Sequence, residues 1–342
     1  MAIFDKKHFD DVSYQKYKSK LTNTKLNNFI KSGVLKRNDG LAARMTEAVG
    51  RHMIAEPIKG LLDGDVINYD GKTDITATSR TTYLQNKVVL GRAKAWQEKD
   101  FSTDISGAEF MPYGEMAAEV NEYYEGVDQE DILAILKGIF SMSDEAGAAF
   151  VEKHTTELAD AIKATSLNRA ITKASGDHRN QYSMAIMHSN VAADLEDLNV
   201  LTFLTQTDAN GIQRDLGLAT WNGRLVVIDD DAPVSEDGKY TTYVLGKESI
   251  EYADCGVKVP SEMVRDAFTD GGIDVLVTRQ RHLYAPKYIS FTNKAVASLS
   301  PKAVELANGA NWEIVNDGDA ESKTYVNDKL IPFVRIISKV SE

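Results

Sequence analysis

The sequence predicts an α+β protein organised around one long helix. Three observations predict it. An apolar stripe at helical spacing runs from Pro112 to Met142. A Gly- and Asp-rich stretch before it reads as short strands with few large apolar side chains. A lobe after it, over residues 155–275, alternates strands with helical or loop pieces.

In the helix, Met116, Val120, Tyr123 and Val127 recur at spacings of four, three and four, which places them on one face. Beyond Val127 the apolar set widens to Ile132, Leu133, Ile135, Leu136, Ile139 and Phe140, so the second half should be covered on more than one side. Glu115, Glu119, Glu122 and Glu125 form an acidic, solvated opposite face. Pro112 suits a first turn. Gly126 and Gly138 each weaken an unbroken helix by about 1 kcal/mol relative to Ala. An ordinary core helix and a spine carrying other elements both fit this pattern.

Before the helix, residues 1–40 are polar and Lys-rich, with no stripe strong enough to seed a core. They read as an arm that needs something to lie on. Residues 41–54 show a short helical pattern, ended by Glu56-Pro57. From Ile58 to Asp100, Gly60, Gly64, Gly71 and Gly91 punctuate strand-like runs, TDITATS and NKVVLGRAKAW. So little apolar surface cannot offset the ordering entropy, and a lone two-stranded ribbon is marginal. The segment is either a floppy insertion or an extended hairpin leaning on another subunit.

After the helix, Asp144 to Ala174 reads as a second helical region, with Ala146, Phe150, His154, Leu158, Ala161, Ile162 and Thr165 in phase. YSMAIMHS reads as a buried strand and Asn190–Asn199 as a helix. TWNGRLVVIDDD reads as a strand and loop, and KYTTYVLGK as another strand. VTRQRHLYAPKYISFT returns to strands. Ser300-Pro301 and Gly309 bracket a brief helix. Trp312–Val315 and Ile331–Ile337 close the chain as a pair of strands.

The 342 residues, 43% hydrophobic and 26% charged, suffice for two domains or one large discontinuous one. No apolar run approaches the roughly 18 residues that cross a bilayer, and MAIFDKKHFDD has no signal-peptide core. With the single Cys255 excluding an internal disulfide, a cytosolic product without membrane attachment is expected. The net charge of −12 argues against a surface that reads DNA. Residues 1–40 carry nine Lys or Arg against four Asp, a net of +5, leaving −17 on the rest. A basic arm on an acidic body can dock on a neighbour's acidic face or simply be solvated.

Catalytic constellations are sparse. Thr241 stands where a phosphate loop ending at Gly246-Lys247 needs glycine. Ser189 lacks the glycine flanks of a nucleophile elbow. His188 and Ser189, adjacent at a strand end, should point apart and not pair as base and nucleophile. His8, His52, His154, His178, His188 and His282 never fall at metal-ligand spacing. The run Asp229, Asp230, Asp231 is the best metal candidate, with a solvated loop the plainer reading. Asp208–Gly211 and Asn316–Asp319 look calcium-like but lack the loop's sixth-position glycine and final glutamate, and read as turns. Cys255 has no basic neighbour in sequence and reads as inert. No catalytic, cofactor-binding or metal residues, and no cofactor, are assigned.

The order of parts is basic arm, extended ribbon, spine helix, compact lobe, returning strands. With it come the strings FIKSGVL, GRAKAWQEKDF, DILAILKGIF, AIMHSNVAADL, GRLVVIDDDAPV, YTTYVLG, VTRQRHLYAPKYISFT and SPKAVELANGANWEIV. Together, in this order, they resemble the major capsid proteins of tailed bacteriophages, whose fold herpesvirus shells share. The resemblance covers most of residues 29–342. It implies the tailed-phage capsid fold, with an N-terminal arm at 1–57 and an extended loop at 58–100. A peripheral domain with the spine helix would span 101–154 and 281–342, and an axial domain 155–280. It implies a structural, non-enzymatic virion protein forming pentamers and hexamers of an icosahedral shell around double-stranded DNA, assembled in the host bacterial cytoplasm. A portal protein is an expected partner and a decoration protein an optional one. Some relatives carry a cleaved N-terminal scaffolding segment; here the arm begins within a few residues of Met1, so a separate scaffolding protein is expected. Some relatives weld subunits by a Lys–Asn isopeptide bond; Lys72 and Lys87 lie in the loop without matching that chemistry. On this reading, deleting residues 62–90 should leave a folded lobe that cannot close shells. A nanocompartment shell of the encapsulin type, or a soluble α/β enzyme, remains an alternative.

Overall fold

In the computed structural model, residues 33–41, 43, 52–62, 64–100, 113–207, 213–319 and 322–341 are described. In chain order the strands are β1 (Leu35–Arg37), β2 (Met53–Lys59), β3 (Thr82–Lys99), β4 (Thr155–Ala161), β5 (Tyr182–Met187), β6 (Leu201–Thr207), β7 (Gln213–Trp221), β8 (Arg224–Ile228), β9 (Tyr240–Gly246), β10 (Ile250–Asp254), β11 (Ser261–Asp266), β12 (Ile273–Pro286), β13 (Ile289–Phe291), β14 (Trp312–Ile314) and β15 (Phe333–Lys339). The helices are α1 (Tyr113–Ile139), α2 (Glu145–His154), α3 (Ser166–Ser175), α4 (Ser189–Asp197) and α5 (Ala303–Leu306).

Helix α1 is the spine, 27 residues and roughly 40 Å long. It ends at Ile139, three residues before Met142, where Ser141 N–H turns back to the Gly138 carbonyl at 3.0 Å. Its second half is enclosed: Ile132, Ile135, Leu136 and Ile139 are at most 1% exposed. They share one core with Leu90 of β3, Ile186 of β5, Tyr243 and Leu245 of β9, Trp312 of β14 and Phe333 of β15. Burying each such side chain contributes about 1.5–3 kcal/mol. The first half packs differently. Val120 and Tyr124 are buried against Met263, Leu276 and the partly buried Trp96, while Tyr123 is 43% exposed. The buried stripe thus runs through Tyr124, one residue from the expected Tyr123. Glu125, expected on the wet face, is buried.

Two sheets flank the spine. One has the order β1-β10-β12-β3-β2, with β11 added on β12. Its backbone is the β3–β12 pair, antiparallel and continuous from Ile273↔Lys99 to Leu283↔Val89. Pro57 lies inside β2, where a helix stop was expected. Proline is tolerated there because β2 is an edge strand. Within the expected helix 41–54, residues 42 and 44–51 lie outside the described residues, and Met53 and Ile54 already belong to β2.

The other sheet has the order β4-β15-β9-β5-β8-β7-β6, parallel at β4–β15 and β5–β8. Strand β4 corrects the second helical region, which breaks at His154. Two adjacent threonines there favour extended backbone. TWNGRLVVI also splits. Asn222 and Gly223 turn between β7 and β8 with φ of 50° and 77°, the pairing a two-residue hairpin needs. The last strands do not pair with each other. β14 pairs with β13, and β15 lies between β9 and β4. The brief helix starts at Ala303, two residues later than Pro301 suggests. Ser300 is drawn off by bonds from Gly91 N–H (2.9 Å) and to the Gly91 carbonyl (3.1 Å).

Candidate assembly surface

The β2–β3 hairpin carries a run of exposed large apolar side chains. Between the strands, the described residues of 61–80 form no strand or helix, and each of their side chains is exposed except Ile67, which is half-buried. Leu61, Leu62, Val66, Tyr69 and Ile75 are 67–98% exposed. TDITATS, expected as a strand, lies here as an exposed loop because no partner strand reaches it. Five large apolar groups in one solvent-facing loop mark an interaction surface.

The loop nevertheless has local order. Asp70 accepts from the N–H groups of Lys72 and Thr73, both at 2.8 Å, and these bonds hold its carboxyl below the usual carboxylate range. At the base, Gly60 N–H donates to the Thr81 carbonyl at 2.8 Å. Lys87, 3% exposed, binds Glu56 at 2.5 Å and also Glu251 of β10. That ammonium ties the hairpin to the sheet and is unlike a free cross-linking amine, whereas Lys72 is exposed.

Between hairpin and spine lies a polar seam absent from any apolar pattern. Arg92 of β3 grips Asp131 of α1 at 2.6 and 3.0 Å and donates to the Pro301 carbonyl at 2.9 Å. Asp128 accepts from Gln280 at 3.0 Å and lies 3.1 Å from His282, both on β12. Tyr124 OH meets Thr278 Oγ1 at 2.9 Å. Polar groups are admitted to this interface because each finds a partner.

The candidate chemical residues do not form a reactive centre. Asp229 is buried and accepts from Gln129 of α1, whereas Asp230 and Asp231 are exposed. The three carboxylates therefore diverge, and Asp229 is a spine contact rather than part of a solvated loop. Among the described residues no three His, Cys, Asp or Glu side chains gather as a metal requires. His188 and Ser189 come closer than expected, 3.4 Å, because α4 begins there. His188 Nδ1 accepts from Asn190 N–H at 3.1 Å as a helix cap, and Asp230 sits 3.7 Å from that same nitrogen. A relay needs serine and carboxylate on opposite nitrogens. Burial pushes the Cys255 thiol up to about 11, which keeps it protonated. Asn316–Asp319 is a turn whose Asp317 accepts from Asp319 and Thr324 N–H at 3.1 and 3.2 Å. Residues 208–212, the basic arm up to residue 32, and 101–112 lie outside the described residues. No described helix is long and apolar enough to cross a membrane.

No family model matches the chain. A curated relative, the major capsid protein of Bacillus phage SPP1, is 29% identical over 300 residues, 86% of this chain and 89% of its own. The capsid of Ralstonia phage GP4 superposes with a TM-score of 0.53 at 9% identity, covering 91% of this chain and 88% of the other. The capsid asymmetric unit of cyanophage Pam1 gives 0.52 at 11%, covering 90% and 89%.

This is the tailed-phage capsid fold.

The capsid fold accounts for the shape of the chain around its spine. Over most of its length the chain is similar to a phage major capsid protein, in line with the resemblance the eight strings carry. Three of those strings fall on central elements of the fold. DILAILKGIF is the enclosed end of α1 and the residue after it, AIMHSNVAADL joins β5 to α4, and VTRQRHLYAPKYISFT spans most of β12 through β13. The polar seam was the part missed. Its only sequence signal is Asp128 and Asp131, one turn apart where the helix becomes mostly apolar.

Proposed function

We propose that this chain is the major structural protein of a virion, self-assembling into the pentamers and hexamers of an icosahedral capsid. The observation that carries this is the exposed apolar loop 61–80 on a chain with the capsid fold. Such a loop gains its burial from identical copies. Obligate interfaces bury on the order of 2,000–5,000 Å², and closed symmetry repeats each contact around the shell. The relative and the structural neighbours are capsid proteins, which favours this reading over a nanocompartment shell or a soluble α/β enzyme.

The finer assignment follows the same logic. Residues 1–57 act as an arm and 58–100 as the loop that reaches over a neighbour. Residues 101–154 with 281–342 form the peripheral domain, and 155–280 the axial domain at capsomer centres. The role is structural, without catalysis. A scaffolding protein and a portal protein are its partners during assembly in the host cytoplasm, and the shell encloses double-stranded DNA without reading it. The net charge of −12 supports an enclosing wall that does not adhere to phosphate.

Electron micrographs of the purified protein test the proposal. Closed, uniform shells are expected. A monodisperse small oligomer at all concentrations contradicts it.

A further inference from the structure

Arg224 opens β8, directly after the Asn222-Gly223 turn, and is only 9% exposed. Its guanidinium has no carboxylate partner among the described residues. One terminal group donates to the Asn222 carbonyl at 3.3 Å and the other to the Arg179 carbonyl at 3.4 Å, both long for hydrogen bonds. Nε is buried with no acceptor. Trp221, its cross-strand partner and therefore on the same face of the sheet, has an indole N–H that also lacks an acceptor. The charge that acts on it most strongly is a second cation, Arg179. Burial first, and then that charge, hold the Arg224 guanidinium below its usual value.

A buried cation without a counterion weighs against folding. Lys87, the other buried Lys or Arg among the described residues, sits between two glutamates. Arg224 breaks that pattern, in a chain with 51 acidic against 39 basic residues. An anion that the described residues do not supply can come from outside the subunit.

We propose that Arg224 receives a carboxylate from a second copy of this chain, completing across a subunit boundary an ion pair that the lone subunit leaves half-made. This rests on the capsid reading above. The acidic excess makes a carboxylate the anion that neighbouring copies present in abundance. A DNA phosphate is the other source. Duplex binding, however, works through rows of exposed cations, each neutralising a phosphate. Arg224 is a single residue, nine-tenths covered, whose guanidinium has donors left over, which suits one inserted carboxylate.

The test uses the full chain with Arg224→Met, which removes the charge but keeps most of the stem, and Arg224→Lys, which keeps the charge. Assembly is followed by light scattering against protein concentration. Free subunits are melted, and binding of a short fluorescent duplex is measured. With wild-type shells as the control, Arg224→Met should raise the critical assembly concentration at least about tenfold. Arg224→Lys should keep most assembly, and Arg224→Met subunits should melt at the wild-type temperature or above. Wild-type assembly by Arg224→Met overturns the proposal, as does a lower subunit melting temperature, which would make the two carbonyl bonds the residue's role. Loss of duplex binding with assembly intact overturns it in favour of phosphate. Failure of the wild type to form shells refutes the capsid reading itself, and the ion pair with it.

Discussion

Arg92 and Asp131 join the hairpin to the spine through two hydrogen bonds, at 2.6 and 3.0 Å, with the carboxylate side chain 3% exposed. Burial pushes the Asp131 carboxyl above its ordinary range, with the Arg92 bonds opposing it. Desolvation thus offsets much of the attraction. Removing one partner strands the other. Arg92→Met or Asp131→Leu alone should cost about 3–5 kcal/mol of subunit stability. The double substitution should cost far less than the sum, and a double-mutant cycle by denaturant unfolding measures the difference. Additive losses would show that the pair is not a unit.

Two glycines of the spine should behave oppositely. A Cβ on Gly138 would overlap the Leu306 carbonyl oxygen and the Trp312 ring, so this glycine is required for close packing of α5 and β14. Gly138→Ala should destabilise by about 1–3 kcal/mol or more. A Cβ on Gly126 meets nothing within 4 Å, and the residue is exposed. Gly126→Ala should stabilise by about 0.5–1 kcal/mol. Calorimetric melting of both variants reads the contrast, and equal shifts of one sign would contradict it.

That contrast shows how far the sequence was legible. The spine was visible because Ile132 to Phe140 repeat at helical spacing, and β5, α4 and β9 because their apolar runs are local. Gly138 looked like a weakness because Trp312, which demands it, is remote in the chain. The buried seam at Asp128, Gln129 and Asp131 was invisible for the same reason: its partners Gln280, Asp229 and Arg92 are 39–152 residues away. Thr155–Ala161 continued the helical phase of α2, yet pairing with β15 decided its conformation. The loop's apolar exposure was legible as a shortage of self-burial, but not the position of its ends.

His154 should make the fold sensitive to mild acid. The ring is fully buried against Phe150, its Nδ1–H donates to the Phe333 carbonyl at 2.7 Å, and Nε2 has no partner. Burial lowers its pKa to about 4 from an ordinary 6.5. Between these values the unfolded chain takes up a proton that the folded one refuses. Stability therefore falls as pH drops from about 6.5 towards 4, by up to about 3 kcal/mol from this group. His154→Phe should flatten that part of the pH–stability curve. An unchanged slope would rule out His154 as its source.

A loop deletion must be narrower than residues 62–90. Val88, Val89 and Leu90 are 2–3% exposed, so that cut would remove core. Replacing residues 62–79 by a short Gly-Ser link leaves β2 and β3 paired. The variant should melt within about 1 kcal/mol of wild type yet form no closed shells in electron micrographs. Normal particles would refute the role given to the loop.

Hydrogen–deuterium exchange over residues 61–80, compared between free subunits and assembled shells, tests the central claim most directly. The loop amides should exchange within seconds in the free subunit and become protected in shells, while β3 and β12 stay protected in both. Equal exchange of the loop in the two states would contradict the claim that identical copies supply its missing burial.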